Sequence, residues 1–164
     1  MVGHLGTHFD VMNKKFPLEY TSRKGIVFDV SHVKGRDIDA SDIDIQKARE
    51  GMFVAFCTGF IEEVGYGGKA YFTEHPQLSN ELIDQLLEQN VSIIGVDFAG
   101  MRRGSEHTPK DQYCADRGVF VVENLCNLKT VANAGEGCTI RTYPMKYAEM
   151  TGLPCRVVAE FADA

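Results

Sequence analysis

Apolar residues rich in β-branched and aromatic types gather in short runs at residues 25–30, 52–57, 91–96, 119–122 and 155–159. Each run is short enough for a buried strand. Residues 79–90 break this pattern: Leu82, Ile83, Leu86 and Leu87 fall at helical spacing, Ser79 precedes them as an N-cap and Asn90 closes them, which predicts an amphipathic helix. Shorter helices are predicted at 41–50, with Asp42 and Asp44 in the first turn, and at 108–117, with Thr108 as cap and Pro109 at the first helical position. Strands outnumber helices and the two alternate. That predicts an α/β fold with a mixed sheet, built as a single compact domain over residues 1–164.

Composition narrows the partners. A chain of 164 residues can close a core without disulfides. Its net charge is −6, and no basic cluster is longer than Lys14-Lys15 or Arg102-Arg103, so the electrostatic footprint of a nucleic-acid binder is missing. The five cysteines are widely spaced and form no Cys-x-x-Cys pair, which points to reduced, mostly buried thiols and a cytoplasmic protein. No signal-peptide pattern or membrane-length apolar run appears.

The chemistry concentrates near the start. In His4-Leu5-Gly6-Thr7-His8-Phe9-Asp10 two imidazoles and a carboxylate fall within seven residues, a donor set that suits zinc, manganese or iron(II) with a coordination position left open. Gly6 argues against a helix there, so the ligands are expected on an extended or turning segment. Asp97 and Glu123 each follow an apolar strand run, where α/β folds place functional groups; taken singly, either carboxylate reads as a cap. The polar stretch 101–108 holds Arg102 and Arg103, candidates for binding a substrate anion, and His107, a candidate ligand or acid/base group. Residues 65–68 read as a flexible glycine turn beside the site, and His32 and His75 as structural or surface residues.

The N-terminal cluster resembles the His-x-Gly-Thr-His-x-Asp signature of the cyclase family of metal-dependent hydrolases, the group of bacterial kynurenine formamidase and isatin hydrolase. Ile93-Ile94-Gly95-Val96-Asp97, Asp116 through Leu125, and Pro144 through Arg156 are similar to later segments of that family. The resemblance implies a swivelling β/β/α fold and a homodimer. It also implies zinc or manganese, one or two ions, with His4, His8 and Asp10 holding the first and Glu123 a ligand of the second. The implied activity is formamidase-like hydrolysis of a non-peptide C–N bond in a small amide, lactam or cyclic substrate; Arg102 or Arg103, from the polar loop, is the candidate to steady the oxyanion.

Three departures shape these expectations. Met12 and Lys14 stand where the family motif continues with proline and a proton-transferring histidine, so Lys14 or His107 is left to move the proton. Asp111, twelve residues before Glu123, stands where the family often has a histidine; an added carboxylate favours manganese or magnesium, and His107, one turn upstream, could supply the imidazole. The motif also begins at residue 4, without the few dozen residues that usually precede it. The alternative reading is a non-catalytic metal- or ligand-binding protein on the same scaffold.

Overall fold

A computed structural model describes residues 3–135 and 137–161. Its sheet is built from β1 (His8–Asp10), β2 (Ser22–Asp29), β3 (Phe53–Cys57), β4 (Ile93–Val96), β5 (Phe120–Glu123), β6 (Cys138–Thr142), β7 (Gly152–Pro154) and β8 (Val157–Glu160). The order across the sheet is β7-β1-β5-β4-β3-β2-β6-β8. Strands β2 to β5 run parallel, β1 and β7 add antiparallel on one side, and β6 and β8 add antiparallel on the other. The α/β class, the mixed sheet and the single domain are as the hydrophobic pattern predicts.

Strands β3, β4 and β5 are buried at every residue, because both faces of the sheet are covered, which is why these segments read as unbroken apolar runs. One face carries Val54, Phe56, Ile94, Val96 and Val121 against helix α3 (Asn80–Glu88), following the short α1 (Phe60–Val64) and α2 (Lys69–Thr73). The other face carries Phe53, Ala55, Ile93, Phe120 and Val122 against Phe9, Leu125 and Leu128. Gly95 lies at the centre of β4, where a Cβ would come 2.7 Å from Leu125 Cδ1 and 2.8 Å from Phe53 Cε1. A larger residue there would overpack the core.

Helix α3 matches its sequence signal: the Ser79 hydroxyl accepts from Leu82 N–H at 3.0 Å, and Leu82, Ile83, Leu86 and Leu87 are buried. The helix expected at 41–50 does not form. That segment makes two 3-10 turns, Ala40–Asp42 and Ile45–Lys47. Asp42 accepts from Asp39 N–H and pairs bidentately with Arg36, and Ala40, Ile43 and Ile45 are the residues packed on the core. Carboxylates bonded to local backbone compete with the helix, and that apolar spacing gives no 3.6-residue stripe. Helix α4 (His107–Ala115) starts one residue earlier than expected and has no side-chain cap, so Thr108 is not its N-cap. Pro109 still lies in the first turn, where an N–H has no helical partner anyway. Helix α5 (Leu128–Asn133) and strands β1, β6 and β7 carry no element expectation from the sequence. Among the cysteines, Cys57, Cys114 and Cys138 are buried, Cys155 is half-buried and Cys126 is exposed. No described helix is long and apolar enough to cross a membrane.

Asp97, at the end of β4, is a structural pin. Its Oδ2 accepts from the N–H groups of Thr58 and Gly59 at 2.8 and 2.7 Å, and its Oδ1 accepts from Thr58 Oγ1 at 2.6 Å. Burial pushes its pKa up to about 6 in spite of these bonds. Asp97→Ala leaves two N–H groups and a hydroxyl unpartnered and is expected to cost about 2–4 kcal/mol in urea unfolding. Asp97→Asn keeps an acceptor and sheds the buried charge, so its expected cost is under about 1 kcal/mol.

Candidate metal centre

Strand pairing assembles the site. In the β1–β5 register His8 lies opposite Glu123 and Asp10 opposite Val121, so His8, Asp10 and Glu123 project from one face of the sheet. His4 precedes β1 and Asp111 belongs to α4, one turn after His107 on the same helical face. Two donor groups result: His4, His8 and Asp10, and Asp10, His107, Asp111 and Glu123, each with its ligand atoms within 4.8 Å of one another. Asp10 belongs to both.

The distances are those of convergent donors. His4 Nδ1 lies 2.7 Å from Asp10 Oδ1 and 3.1 Å from His8 Nε2, and its other nitrogen meets Thr151 Oγ1 at 2.8 Å. His8 Nε2 stands 3.5 Å from Asp10 Oδ1 and 3.6 Å from Glu123 Oε2. His107 Nε2 is 3.1 Å from Asp111 Oδ2 and 2.9 Å from Glu123 Oε1. Asp10, Asp111 and Glu123 are only 1%, 2% and 3% exposed. Asp10 Oδ2 and Asp111 Oδ1 have no hydrogen-bond partner among the described residues, and Asp10 Oδ1 and Glu123 Oε1 are approached by the imidazoles of His4 and His107. Buried carboxylate oxygens are ordinarily bonded, and three carboxyl groups facing one another are unfavourable unless protons or positive charge lie between them. The residues therefore fit a divalent cation, with nitrogen and oxygen donors of the kind zinc and manganese take.

The titration shifts follow from this crowding. Burial raises the Glu123 carboxyl to about 8, helped by the Asp10 charge, and raises Asp111 to about 6. Burial also opposes ionisation of Asp10, but the adjacent His4 and His8 imidazoles outweigh it and hold that carboxyl below the usual range. His8 shifts upward because Asp10 and Glu123 overcome its desolvation. Asp111 and Glu123 raise His107 to about 11.

Not every sequence candidate joins the cluster. Lys14 forms an ion pair with Asp116 at 2.7 Å, with both side chains well exposed. Its ammonium makes no described contact with Asp10, Asp111 or Glu123. Arg102 is pinned within the loop: Nη1 donates to Asp37 Oδ2 and Leu78 O at 2.5 and 2.9 Å, and Nε donates to Glu106 Oε2 at 2.8 Å. These contacts occupy its fork with structural partners. Arg103 reaches the carbonyl of Thr73 at 3.3 Å. His107 does join the cluster, and Gly100 makes room for it. At φ +103°, Gly100 passes so close that a Cβ would lie 2.7 Å from His107 Cε1. Gly100→Ala is expected to displace the ring and to cost about 1–3 kcal/mol in urea unfolding, from the clash and from the positive φ together. In a His107→Ala background the clash is expected to vanish while the strain of holding alanine at positive φ remains, which a double-mutant cycle separates.

Residues the sequence reading passed over hold the cluster in place. Asn124 adopts φ +59° directly after Glu123, donates from Nδ2 to Gly6 O at 2.9 Å and accepts the Tyr71 hydroxyl at 2.7 Å. Gly6 N–H donates to Tyr66 Oη at 3.0 Å, so the glycine turn does border the site. The signal for Asn124 was an asparagine ending a strand run, a residue that tolerates the left-handed region.

The family model Cyclase, described as "Putative cyclase", matches residues 1–101. Among solved structures, a "potential metal-dependent hydrolase with cyclase activity" is 25% identical, with 97% of this chain and 79% of that chain covered at a TM-score of 0.77. A "predicted metal-dependent hydrolase" from Bacillus stearothermophilus is also 25% identical, with 97% and 78% covered and a TM-score of 0.75. Isatin hydrolase A from Labrenzia aggregata, 22% identical, shares the fold over 94% of this chain and 72% of its own, at a TM-score of 0.77. No curated protein matches the chain significantly. The matched segment includes His4, His8 and Asp10, the fold is that of the similar hydrolases, and the chain belongs to the cyclase family.

Proposed function

We propose that this protein is a metal-dependent hydrolase that opens a non-peptide C–N bond in a small amide, lactam or cyclic substrate. The observation that carries the reading is Asp10, buried, common to both donor groups and with the nitrogens of His4 and His8 converging on its Oδ1. His4, His8 and Asp10 are the proposed ligands of one divalent cation, zinc or manganese, and Asp111 and Glu123 face a second position with Asp10. A cation held there supplies the Lewis acidity that activates water and polarises a carbonyl.

The chain's own groups do the rest. His107, one-third exposed while the carboxylates beside it are buried, holds a proton at Nε2 between Asp111 and Glu123. It is the proposed proton-moving group, able to exchange with a departing nitrogen. Lys14 and Arg102 take no part in this proposal, since Asp116 engages the first and Asp37, Glu106 and Leu78 engage the second. The substrate is a small molecule, and a cytoplasmic homodimer is the setting proposed.

The test is hydrolysis by chelator-stripped protein restored with zinc or manganese, assayed on N-formyl arylamines and on lactams including isatin. Cation-dependent ring opening or deformylation is the expected result. A loaded protein inert on every compound would favour a binding role on the same scaffold, a reading already prompted by the exposed Lys14–Asp116 pair at the position of the family's proton-transferring histidine. Activity gained by Lys14→His would then mark a degraded enzyme.

A further inference from the structure

We propose that Asn124 is a positioning residue that sets the tautomer and the aim of His8. The Gly6 carbonyl can only accept, and two side-chain nitrogens reach it: His8 Nδ1 at 2.8 Å and Asn124 Nδ2 at 2.9 Å. Asn124 Nδ2 also lies 3.4 Å from His8 Nδ1, but the shorter contact to the Gly6 carbonyl assigns the proton to His8 Nδ1, leaving Nε2 as a bare donor 3.1 Å from His4 Nδ1 and facing Asp10 and Glu123. The orientation of the Asn124 amide is fixed in turn. The buried Tyr71 hydroxyl donates to Oδ1 at 2.7 Å, which sends Nδ2 toward Gly6.

The backbone of Asn124 completes the clamp. Its carbonyl accepts from Thr7 Oγ1 at 2.8 Å, and its N–H donates to Phe98 O at 3.2 Å. Gly6 is thus held at its carbonyl by Asn124 and at its N–H by Tyr66, and Thr7 is held by its side chain. The short segment between His4 and His8 is fastened to the end of β5 and to the loop before α2. Without the amide, the Gly6 peptide loses the one side-chain donor that shares its carbonyl with His8 and is free to rotate, and with it goes the constraint on the imidazole.

The experiment uses the full chain as wild type, Asn124→Gly and Tyr71→Phe. Asn124→Gly removes the amide but accepts the positive φ, and Tyr71→Phe keeps the buried ring while freeing the amide to flip. Nitrogen-15 spectra of the histidine rings are recorded on metal-free protein above the His8 titration, and zinc affinity is measured by chelator competition. A single Nδ1–H tautomer of His8 in wild type is expected to become a mixture in Asn124→Gly, with zinc affinity falling about 10–100-fold. Tyr71→Phe is expected to fall between the two. A His8 tautomer unchanged in Asn124→Gly overturns the proposal, whatever zinc does. The affinity measurement rests on the metal reading above: a shifted tautomer in a protein whose wild type takes no zinc upholds the positioning role and defeats the metal reading alone.

Discussion

Asp10→Asn is expected to abolish cation-dependent hydrolysis, with a loss of roughly a thousandfold or more, while leaving a folded protein. The side chain is common to both donor groups and is buried against His4 and His8. Exchanging its carboxylate for an amide removes the negative charge that each cation position depends on, and points an N–H at an imidazole nitrogen or into the shared space. The shape is unchanged, and the new amide has His4 Nδ1 2.7 Å from the old Oδ1 as a partner, so the metal-free fold should hold. Steady-state kinetics read beside a melting curve separate the two effects. Substituting Lys14 by alanine, in contrast, is expected to leave the rate within about twofold, since its exposed pair with Asp116 lies outside the cluster.

The second large effect is on stability. Asp10, Asp111 and Glu123 are buried together, and a cation that binds only the folded state stabilises it by about 4 kcal/mol at a thousandfold excess over Kd. For a domain of this size that is a rise of about 10 °C in Tm. Glu123→Gln should erase most of this rise and at the same time stabilise the metal-free protein. Burial lifts the Glu123 carboxyl to about 8 from an ordinary value of 4.5, so the metal-free native state binds that proton more firmly than the unfolded chain does. Its contribution is fully present below the unfolded value and is lost as pH rises through the folded one. The variant is therefore expected to melt at least about 3 °C above metal-free wild type near pH 8 and close to it near pH 5. A wild type more stable than Glu123→Gln at both values, with no response to cation, would contradict this account.

Much of this arrangement is legible in the residues. The runs that became β2, β3, β4, β5 and β8 are apolar because both sheet faces are covered or because they lie against the core. The α3 stripe and its Ser79 cap are local signals that tertiary structure leaves in place. His4, His8 and Asp10 announce themselves by spacing, and Glu123 by ending a strand. The lost elements are those whose cause is not local. β1 is three residues long and holds two of the proposed ligands, so it has no apolar periodicity to read. The segment at 41–50 follows the aspartates that bond to its own backbone and to Arg36, and not its intrinsic helix preference. Arg102 reads as a substrate group because the sequence does not show that Asp37, far upstream, folds back onto it. Asn124 and Tyr71 act on His8 through Gly6, a relation that exists only once the end of β5 and the start of β1 are side by side.

The central claim is that Asp10 and its neighbours hold a divalent cation, and elemental analysis tests it most directly. Wild type purified without chelator is predicted to carry about one or two equivalents of zinc or manganese per chain, and His8→Ala to fall toward background. Background metal in wild type, persisting after incubation with either cation and removal of the excess, would contradict it.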